Sequence, residues 1–132
     1  MLLVDSSVWI EIFRRPSRIA PASSFDIEEV VTCLPVIQEV LQGFKQEDAF
    51  AIARNSMLAF PLVESPMDLD VFVAAADLYR TARRAGLSIR SGVDCVIAVC
   101  ALRNRLTVLH HDRDFDLLAQ VSPLQAQQIG LS

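Results

Sequence analysis

Five acidic residues lie where predicted strands end or predicted helices begin: Asp5, Glu39, Asp94, Asp112 and Asp114. Asp5 directly follows the apolar run 2–4, and two others follow the run 106–109. The remaining two lie in the early turns of predicted helices. Since ligands of a parallel α/β sheet bind at the carboxyl ends of its strands, we expect these five carboxylates to converge on one cleft.

Carboxylates that lie close together repel one another, so a cluster of them either has raised pKa values or binds a hard cation. The sequence contains no CxxC or HExxH zinc motif. Ligands that are all oxygens favour Mg²⁺, with Mn²⁺ as a substitute. Such a site activates water for attack on phosphorus and stabilises a leaving 3′ oxygen.

Helix capping is the alternative explanation for several of these acids. Asp5 and Asp112 stand where N-caps are expected, and Ser91 with Asp94 matches a capping box. Glu39 lies in an apolar helix where no local helix chemistry requires it. The other acids are predicted to be caps or solvated side chains: Asp26, Glu28, Glu29, Glu47, Asp48, Glu64, Asp68, Asp70 and Asp77.

Short apolar runs alternate with segments of helical periodicity along the chain. The predicted strands are 2–4, 30–33, 106–109 and, as an edge strand containing Pro61, 60–63. The predicted helices are 8–13, 35–44, 47–58, 71–85, 91–104 and 113–119. Residues 14–24 are predicted to be a loop, and the segment after 119 is not assigned. The alternation predicts an α/β fold with a parallel sheet covered on both faces.

The composition indicates one globular domain over residues 1–132, with 52% hydrophobic and 21% charged residues. The amino terminus lacks a secretory signal, and no apolar run reaches membrane-spanning length. Three cysteines without zinc spacing indicate buried thiols in a reducing cytoplasm. The net charge of −4 argues against a general polyanion binder. Arginines nevertheless form local groups at Arg14-Arg15-Arg18, Arg80-Arg83-Arg84 and Arg103-Arg105.

Four short motifs together resemble the PIN-domain family, specifically its VapC-type toxins. They are 4–10 (VDSSVWI), 39–43 (EVLQG), Asp94-x-x-Ile97-Ala98 and 112–115 (DRDF), in that order. The resemblance covers essentially the whole chain. It implies a three-layer α/β/α fold with a parallel sheet of about five strands.

The resemblance also implies roles for individual residues. Asp5, Glu39, Asp94 and Asp112 would form an acidic quartet, with Asp114 as an additional metal ligand. Ser6 or Ser7 would lie near the metal through its hydroxyl, in a second shell. Asp116 is expected to lie outside the site.

The expected function is that of a Mg²⁺-dependent ribonuclease toxin. Arg90 and Arg113 are candidates for RNA phosphate contacts, although ion pairing to the acidic site is an equal alternative. His110 and His111 are poor candidates for acid-base catalysis because adjacent side chains point in different directions. Trp9 is expected to pack in the core rather than stack a base.

Expected partners are the RNA substrate, a second copy of the chain and an antitoxin of the VapB type. The antitoxin would lie in an apolar groove and send a basic side chain to the carboxylates. Two readings of the apolar residues Trp9, Ile10, Phe13, Phe44 and Phe50 stay open: they leave an apolar patch exposed, or the aromatics all lie in the core of a monomeric nuclease. Two alternatives remain, a catalytically silent PIN-fold binding module and a Mg²⁺-binding phosphoacceptor domain. The phosphoacceptor domain would need a strand-end lysine, but Lys45 follows the Glu39 helix.

Overall fold

A computed structural model describes residues 1–14, 16–19 and 24–130 of the chain. The strands are β1 (Leu2–Val4), β2 (Val30–Val31), β3 (Thr107–His110) and β4 (Gln125–Gln128). The helices are α1 (Ser6–Phe13), α2 (Leu34–Leu41), α3 (Glu47–Met57), α4 (Leu69–Arg84), α5 (Gly92–Asn104) and α6 (Arg113–Gln120). A single 3₁₀ turn, Ile27–Glu29, precedes β2. The result is the predicted α/β fold.

The strands form one parallel sheet in the order β2-β1-β3-β4. In the centre of the sheet, Val4 is paired with Leu109, and the next residue, Asp5, donates its backbone N–H to the Leu109 carbonyl at 2.9 Å. β1 and β3 therefore end side by side. Helix α1 follows the end of β1, and helix α6 follows the end of β3. Two helix N-termini therefore lie at the same edge of the sheet.

Helix α5 is the most deeply buried helix of the structure. Seven of its thirteen residues are buried, and they include Asp94 as well as apolar side chains such as Ile97 and Cys100. A helix that is apolar on nearly all sides belongs in a core rather than at a surface. It packs most extensively against α4 and also contacts β3 and α6. The rigid placement of α5 fixes the position of Asp94.

Two differences from the sequence prediction concern the edges of the sheet. Over the described residues the sheet has four strands rather than about five, because segment 60–63 makes only one bridge, between Thr32 and Leu62. Pro61 has no N–H to donate and contributes only its carbonyl, which accepts from the Thr32 N–H at 2.9 Å. At the other edge, β4 forms from the polar segment Gln125–Gln128, for which no strand was predicted.

Smaller differences concern helix and loop ends. The predicted helix 35–44 ends at Leu41, with Gln42 as its C-cap. The predicted loop 14–24 is only partly described, and Arg15 of the predicted basic group lies outside the described residues. Across the part of the chain that is described, no helix is both long and apolar enough to span a membrane.

Candidate metal centre

Asp5 and Asp112 cap the two helices that begin at the shared edge of the sheet. Asp5 Oδ2 accepts from the Ser7 backbone N–H at 3.1 Å, and Asp112 Oδ1 accepts from the Asp114 N–H at 3.0 Å. Each cap uses one carboxylate oxygen. The other oxygen of Asp5, Oδ1, is buried without a hydrogen-bond partner among the described residues. An aspartate can therefore cap a helix and also belong to the carboxylate site, although the sequence analysis treated these roles as alternatives.

Asp94, Asp112 and Asp114 each place a carboxylate oxygen within 4.8 Å of the other two. Asp94 is 4% exposed, and its Oδ2 is a second buried oxygen without a partner in the described structure. Ser91 is the N-cap of α5 but makes no side-chain capping bond, so the predicted capping box does not form. Helix capping therefore does not account for Asp94.

Asp114 is fully buried and accepts three backbone hydrogen bonds. They come from the Arg90 N–H, at 3.2 and 3.0 Å to the two oxygens, and from the Ser91 N–H at 3.0 Å. These bonds fix the segment that leads into α5. Asp114 thus both belongs to the carboxylate cluster and holds the helix that carries Asp94.

Two serines donate hydrogen bonds to the remaining predicted site acids, Glu39 and Asp5. The Ser6 hydroxyl donates to Glu39 Oε1 at 3.0 Å, which links α1 to α2. The Ser7 hydroxyl donates to Asp5 Oδ2 at 2.5 Å and accepts from the His111 backbone N–H at 2.9 Å. Ser7 therefore joins the segment after β1 to the segment after β3 and orients the Asp5 carboxylate.

The electrostatics of the cluster are those of crowded, desolvated acids. Burial, followed by the charges of Asp5 and Asp112, raises the pKa of Asp94 to about 10. Burial also raises the pKa of Asp5, against the opposing hydrogen bonds from Ser7 and with a further increase from the charge of Glu39. Without a cation, Asp94 is therefore protonated at neutral pH. Unpartnered oxygens in an all-oxygen donor set fit a hard divalent cation.

The two arginines predicted to contact RNA lie beside this cluster. Arg90 lies just before Ser91, the N-cap of α5, and Arg113 lies between Asp112 and Asp114 in sequence. Both side chains are exposed, and neither forms an ion pair with the cluster within the described ranges. Their exposure leaves both side chains accessible to a polyanion.

His110, which the sequence analysis considered only as a poor candidate for acid-base catalysis, is a buried residue that contacts the backbone of Asp112. Its side chain is completely buried, and both ring nitrogens have partners. Nδ1 accepts from the Asp112 N–H at 3.2 Å, and Nε2 lies 3.1 Å from Asp116 Oδ1. Neither nitrogen is free to exchange a proton with a substrate.

Two apolar grooves lie along α2, the helix that carries Glu39. The first, of about 420 Å³, runs between α1 and α2 and is lined by Ile10, Phe13, Val40 and Phe44, with Ile10 51% exposed. The second, of about 370 Å³, has Glu39 in its wall. Trp9 is buried and packs on the Phe60 ring at 5.2 Å, so it belongs to the core as expected.

Comparison with known proteins gives concordant matches over most of the chain. The PIN-domain family profile matches residues 2–121. The VapC ribonuclease Mb1587 of Mycobacterium bovis and ribonuclease VapC11 of Mycobacterium tuberculosis are each 35% identical to the chain over 131 residues, which is 96% of this chain and 97% of the relative.

Solved structures with the same fold include two complexes. One is VapBC2 from Rickettsia felis bound to a promoter DNA fragment, with a TM-score of 0.74 and 13% identity over 96% of this chain and 97% of that one. The other is FitAcB from Neisseria gonorrhoeae, with a TM-score of 0.71 and 20% identity over 96% of each chain. At these identities the structural likeness establishes the fold alone.

Proposed function

Because this chain belongs to the PIN-domain family and to its VapC-type toxins, we propose that it hydrolyses RNA with Mg²⁺, or with Mn²⁺ as a substitute. One observation carries the metal dependence. Asp94 Oδ2 is buried without a partner in the described structure, in a cluster with the carboxylates of Asp112 and Asp114, and Asp5 Oδ1, whose charge acts on Asp94, is buried without a partner as well. Buried polar atoms without partners destabilise a fold unless a ligand satisfies them.

The cation would be held by Asp5, Asp94, Asp112 and Asp114, and when bound it supplies water activation and stabilisation of a leaving 3′ oxygen. Ser7 fixes the Asp5 carboxylate through its hydroxyl. Glu39, whose Oε1 is engaged by Ser6, orients the attacking water. These residues supply general-base and orienting groups without a side-chain nucleophile.

RNA binding is assigned to exposed arginines at the edge of the cluster. Arg90 and Arg113 contact backbone phosphates that flank the scissile bond, because guanidinium groups bind phosphate oxygens in a bidentate manner. The protein as a whole has a net charge of −4, which opposes the binding of RNA. A neutral Arg113→Gln variant should therefore raise KM for RNA with a smaller change in kcat, and the effect should shrink at high salt.

Cleavage of a defined RNA tests the proposal. Purified protein should cut RNA in Mg²⁺ or Mn²⁺ and stop in EDTA, and the fragments should carry 5′-phosphate and 3′-hydroxyl ends. Undiminished cleavage in chelator, or 2′,3′-cyclic phosphate ends, would exclude metal-activated water. A protein that folds and binds Mn²⁺ but never cleaves RNA would be a silent binding module instead.

The groove between α1 and α2 is the proposed antitoxin site. The structural relatives VapBC2 and FitAcB support an antitoxin partner of the VapB type. An apolar segment would contact Ile10 and Phe44, and a basic side chain of the antitoxin would extend past this groove to Glu39, which lies in the wall of the second groove. An arginine placed there pairs with the carboxylates and competes with the cation.

Ile10→Glu tests the assignment of the groove. This variant should cleave RNA normally but escape inhibition by the antitoxin encoded next to it, since a buried charge opposes an apolar ligand. Leu58→Glu, at an exposed position just after α3, is the matched control and should remain inhibited. Equal inhibition of both variants would exclude this groove.

A homodimer is proposed through the exposed face of α4. Leu69, Phe72 and Val73 are each at least half exposed and share one helical face, which is unusual for a surface without a partner. Light scattering should give the mass of two chains at micromolar concentration. Val73→Glu should give a monomer, and an unchanged mass would place the dimer contact elsewhere.

A further inference from the structure

Asp116, one turn into α6, is the acid nearest in sequence to the cluster that does not join it. Its carboxylate is 49% exposed and lies 3.1 Å, through Oδ1, from His110 Nε2. The other ring nitrogen of His110 lies 3.2 Å from the backbone nitrogen of Asp112. A continuous path of two hydrogen bonds therefore connects a surface carboxylate to the main chain of Asp112.

The direction of these bonds fixes the tautomer of the histidine. A backbone N–H can only donate, so Nδ1 must be the bare nitrogen of the ring. The neutral ring then carries its proton on Nε2 and donates it to Asp116. The opposite tautomer would place two N–H groups against each other at Asp112 and two lone pairs against each other at Asp116.

The surroundings leave the imidazole little freedom to rotate away. The side chain has no exposed surface, and the Phe115 ring lies 5.4 Å from it, centroid to centroid. On the main-chain side, the His110 carbonyl accepts from the Ile129 N–H at 2.8 Å, which extends the pairing of β3 with β4. The ring is thus a rigid acceptor presented to the Asp112 backbone.

We propose that Asp116 and His110 are a positioning pair, in which Asp116 holds the histidine tautomer and His110 Nδ1 holds the Asp112 backbone so that its carboxylate faces the cation. This inference rests on the proposed role of Asp112 as a metal ligand. A shift of the Asp112 main chain would also disturb the cap of α6, because Asp112 Oδ1 accepts from the Asp114 N–H. Two of the cluster's carboxylates therefore depend on one imidazole.

Two substitutions at Asp116 distinguish the loss of its hydrogen-bond acceptor from the loss of its negative charge. Asp116→Asn keeps an oxygen that accepts from Nε2–H, whereas Asp116→Ala removes it. Asp116→Ala should weaken Mn²⁺ binding about 10-fold, the lower end of what loss of an outer-sphere partner produces, and Asp116→Asn should restore most of it. Asp77→Ala, at an exposed site paired with Arg80 on α4, is the matched surface-charge control.

Two measurements on the full chain test the proposal. Long-range ¹H–¹⁵N NMR at neutral pH, without metal, should show a bare Nδ1 and a protonated Nε2 for His110 in the wild type and in Asp116→Asn. Asp116→Ala should give a mixture of tautomers. The chain has two histidines, so a His111→Asn spectrum assigns the signals. Equilibrium dialysis then gives the Mn²⁺ affinities.

A wild-type proton on Nδ1, Mn²⁺ affinity unchanged in Asp116→Ala, or Asp116→Asn as weak as Asp116→Ala would each overturn the positioning pair. His110→Asn and His110→Leu give an independent check, since the asparagine oxygen can still accept from the Asp112 N–H and leucine cannot. The asparagine variant should bind Mn²⁺ more tightly than the leucine variant, and the reverse order would refute the proposal. Neither measurement uses RNA cleavage, so a protein that does not cleave RNA would refute the proposed function but not the positioning pair.

Discussion

Replacing Asp94 with asparagine should stabilise the metal-free protein while abolishing RNA cleavage. In the fold the pKa of Asp94 is raised to about 10, first by burial and then by the charges of Asp5 and Asp112. In the unfolded chain the same carboxyl ionises near its ordinary value of 3.8. Between these two pH values the folded protein holds one proton that the unfolded chain has released.

The sign of the effect follows from linkage. Since the folded state binds more protons, the free energy of unfolding falls as pH rises from 3.8 toward 10. Neutral pH lies about 3 pH units above the lower value, and each unit is worth about 1.4 kcal/mol, so the wild type loses roughly 4 kcal/mol by pH 7. Asparagine has no ionised form in the unfolded chain and avoids this loss.

Urea denaturation in EDTA at pH 4.5 and pH 7 measures the difference. The Asp94→Asn variant should be the more stable protein at pH 7, by about 2 to 4 kcal/mol after relaxation of the site, and the difference should shrink toward pH 4.5. Saturating Mn²⁺ should reverse the order, because the cation stabilises the wild type through its fourfold carboxylate cluster and the variant much less. Asp77→Asn, at an exposed position, is the control and should change neither result.

The reasoning would be refuted by equal stabilities at pH 7 in EDTA, or by a variant that is less stable there and gains as much from Mn²⁺ as the wild type. Equal stability would mean that water reaches Asp94 and keeps it ionised. An equal gain from Mn²⁺ would mean that Asp94 is not a ligand.

Three further predictions address other parts of the structure. Asp5→Asn keeps a side-chain oxygen that can cap α1, so the melting temperature should change by only a few degrees. RNA cleavage should fall by at least about 100-fold, and retained activity would show that Asp5 is not part of the site. Arg103→Ala breaks the ion pairs to Glu64 at 3.2 Å and to Asp68 at 3.3 Å and should lower the midpoint of urea unfolding slightly at low salt and less in 1 M salt. A salt-independent loss would indicate packing instead. Phe115→Ala leaves a cavity beneath α6 and should reduce the free energy of unfolding by about 3 to 5 kcal/mol in urea titrations, and a loss below 1 kcal/mol would contradict its complete burial.

The central part of the fold could be predicted from the sequence because its elements are marked at both ends. β1 and β3 are apolar runs that stop at polar residues, and α1 and α6 start at aspartates that cap them. These elements predict that Asp5 and Asp112 lie at the carboxyl ends of their strands, and the pairing of β1 with β3 in the structure makes the two strand ends neighbours.

The edges of the sheet were predicted less well because local sequence does not decide whether an edge segment pairs with its neighbour. Segment Gln125–Gln128 has three exposed glutamines, and its strand conformation comes from pairing with β3, from Thr107 opposite Gln125 to His110 opposite Gln128. At the other edge, 60–63 has the apolar content of a strand, but Pro61 limits its pairing to the Thr32–Leu62 bridge. In both places tertiary context overrides local propensity.

The contact between His110 and Asp116 shows why part of the candidate site could not be predicted from sequence motifs. The strand period of two does put His110 on the same face as Val108, and both are fully buried. Its hydrogen-bond partners, however, depend on the angle at which α6 leaves β3. That angle is a property of helix packing against α5 and β4 rather than of residues 110–116 themselves.

The position of Asp94 on α5 also explains how the chain keeps mutually repelling carboxylates together. An acid on a mobile loop would move into water, and its pKa would return toward the ordinary value. Asp94 cannot do so, because α5 is buried on most of its surface and Asp114 binds the Arg90 and Ser91 backbone just before it. Close-packed interiors deform little, so in the metal-free fold Asp94 stays beside the other acids and holds a proton at neutral pH, until a divalent cation displaces that proton. The same rigidity that destabilises the metal-free protein is therefore what gives the cluster its affinity for the cation.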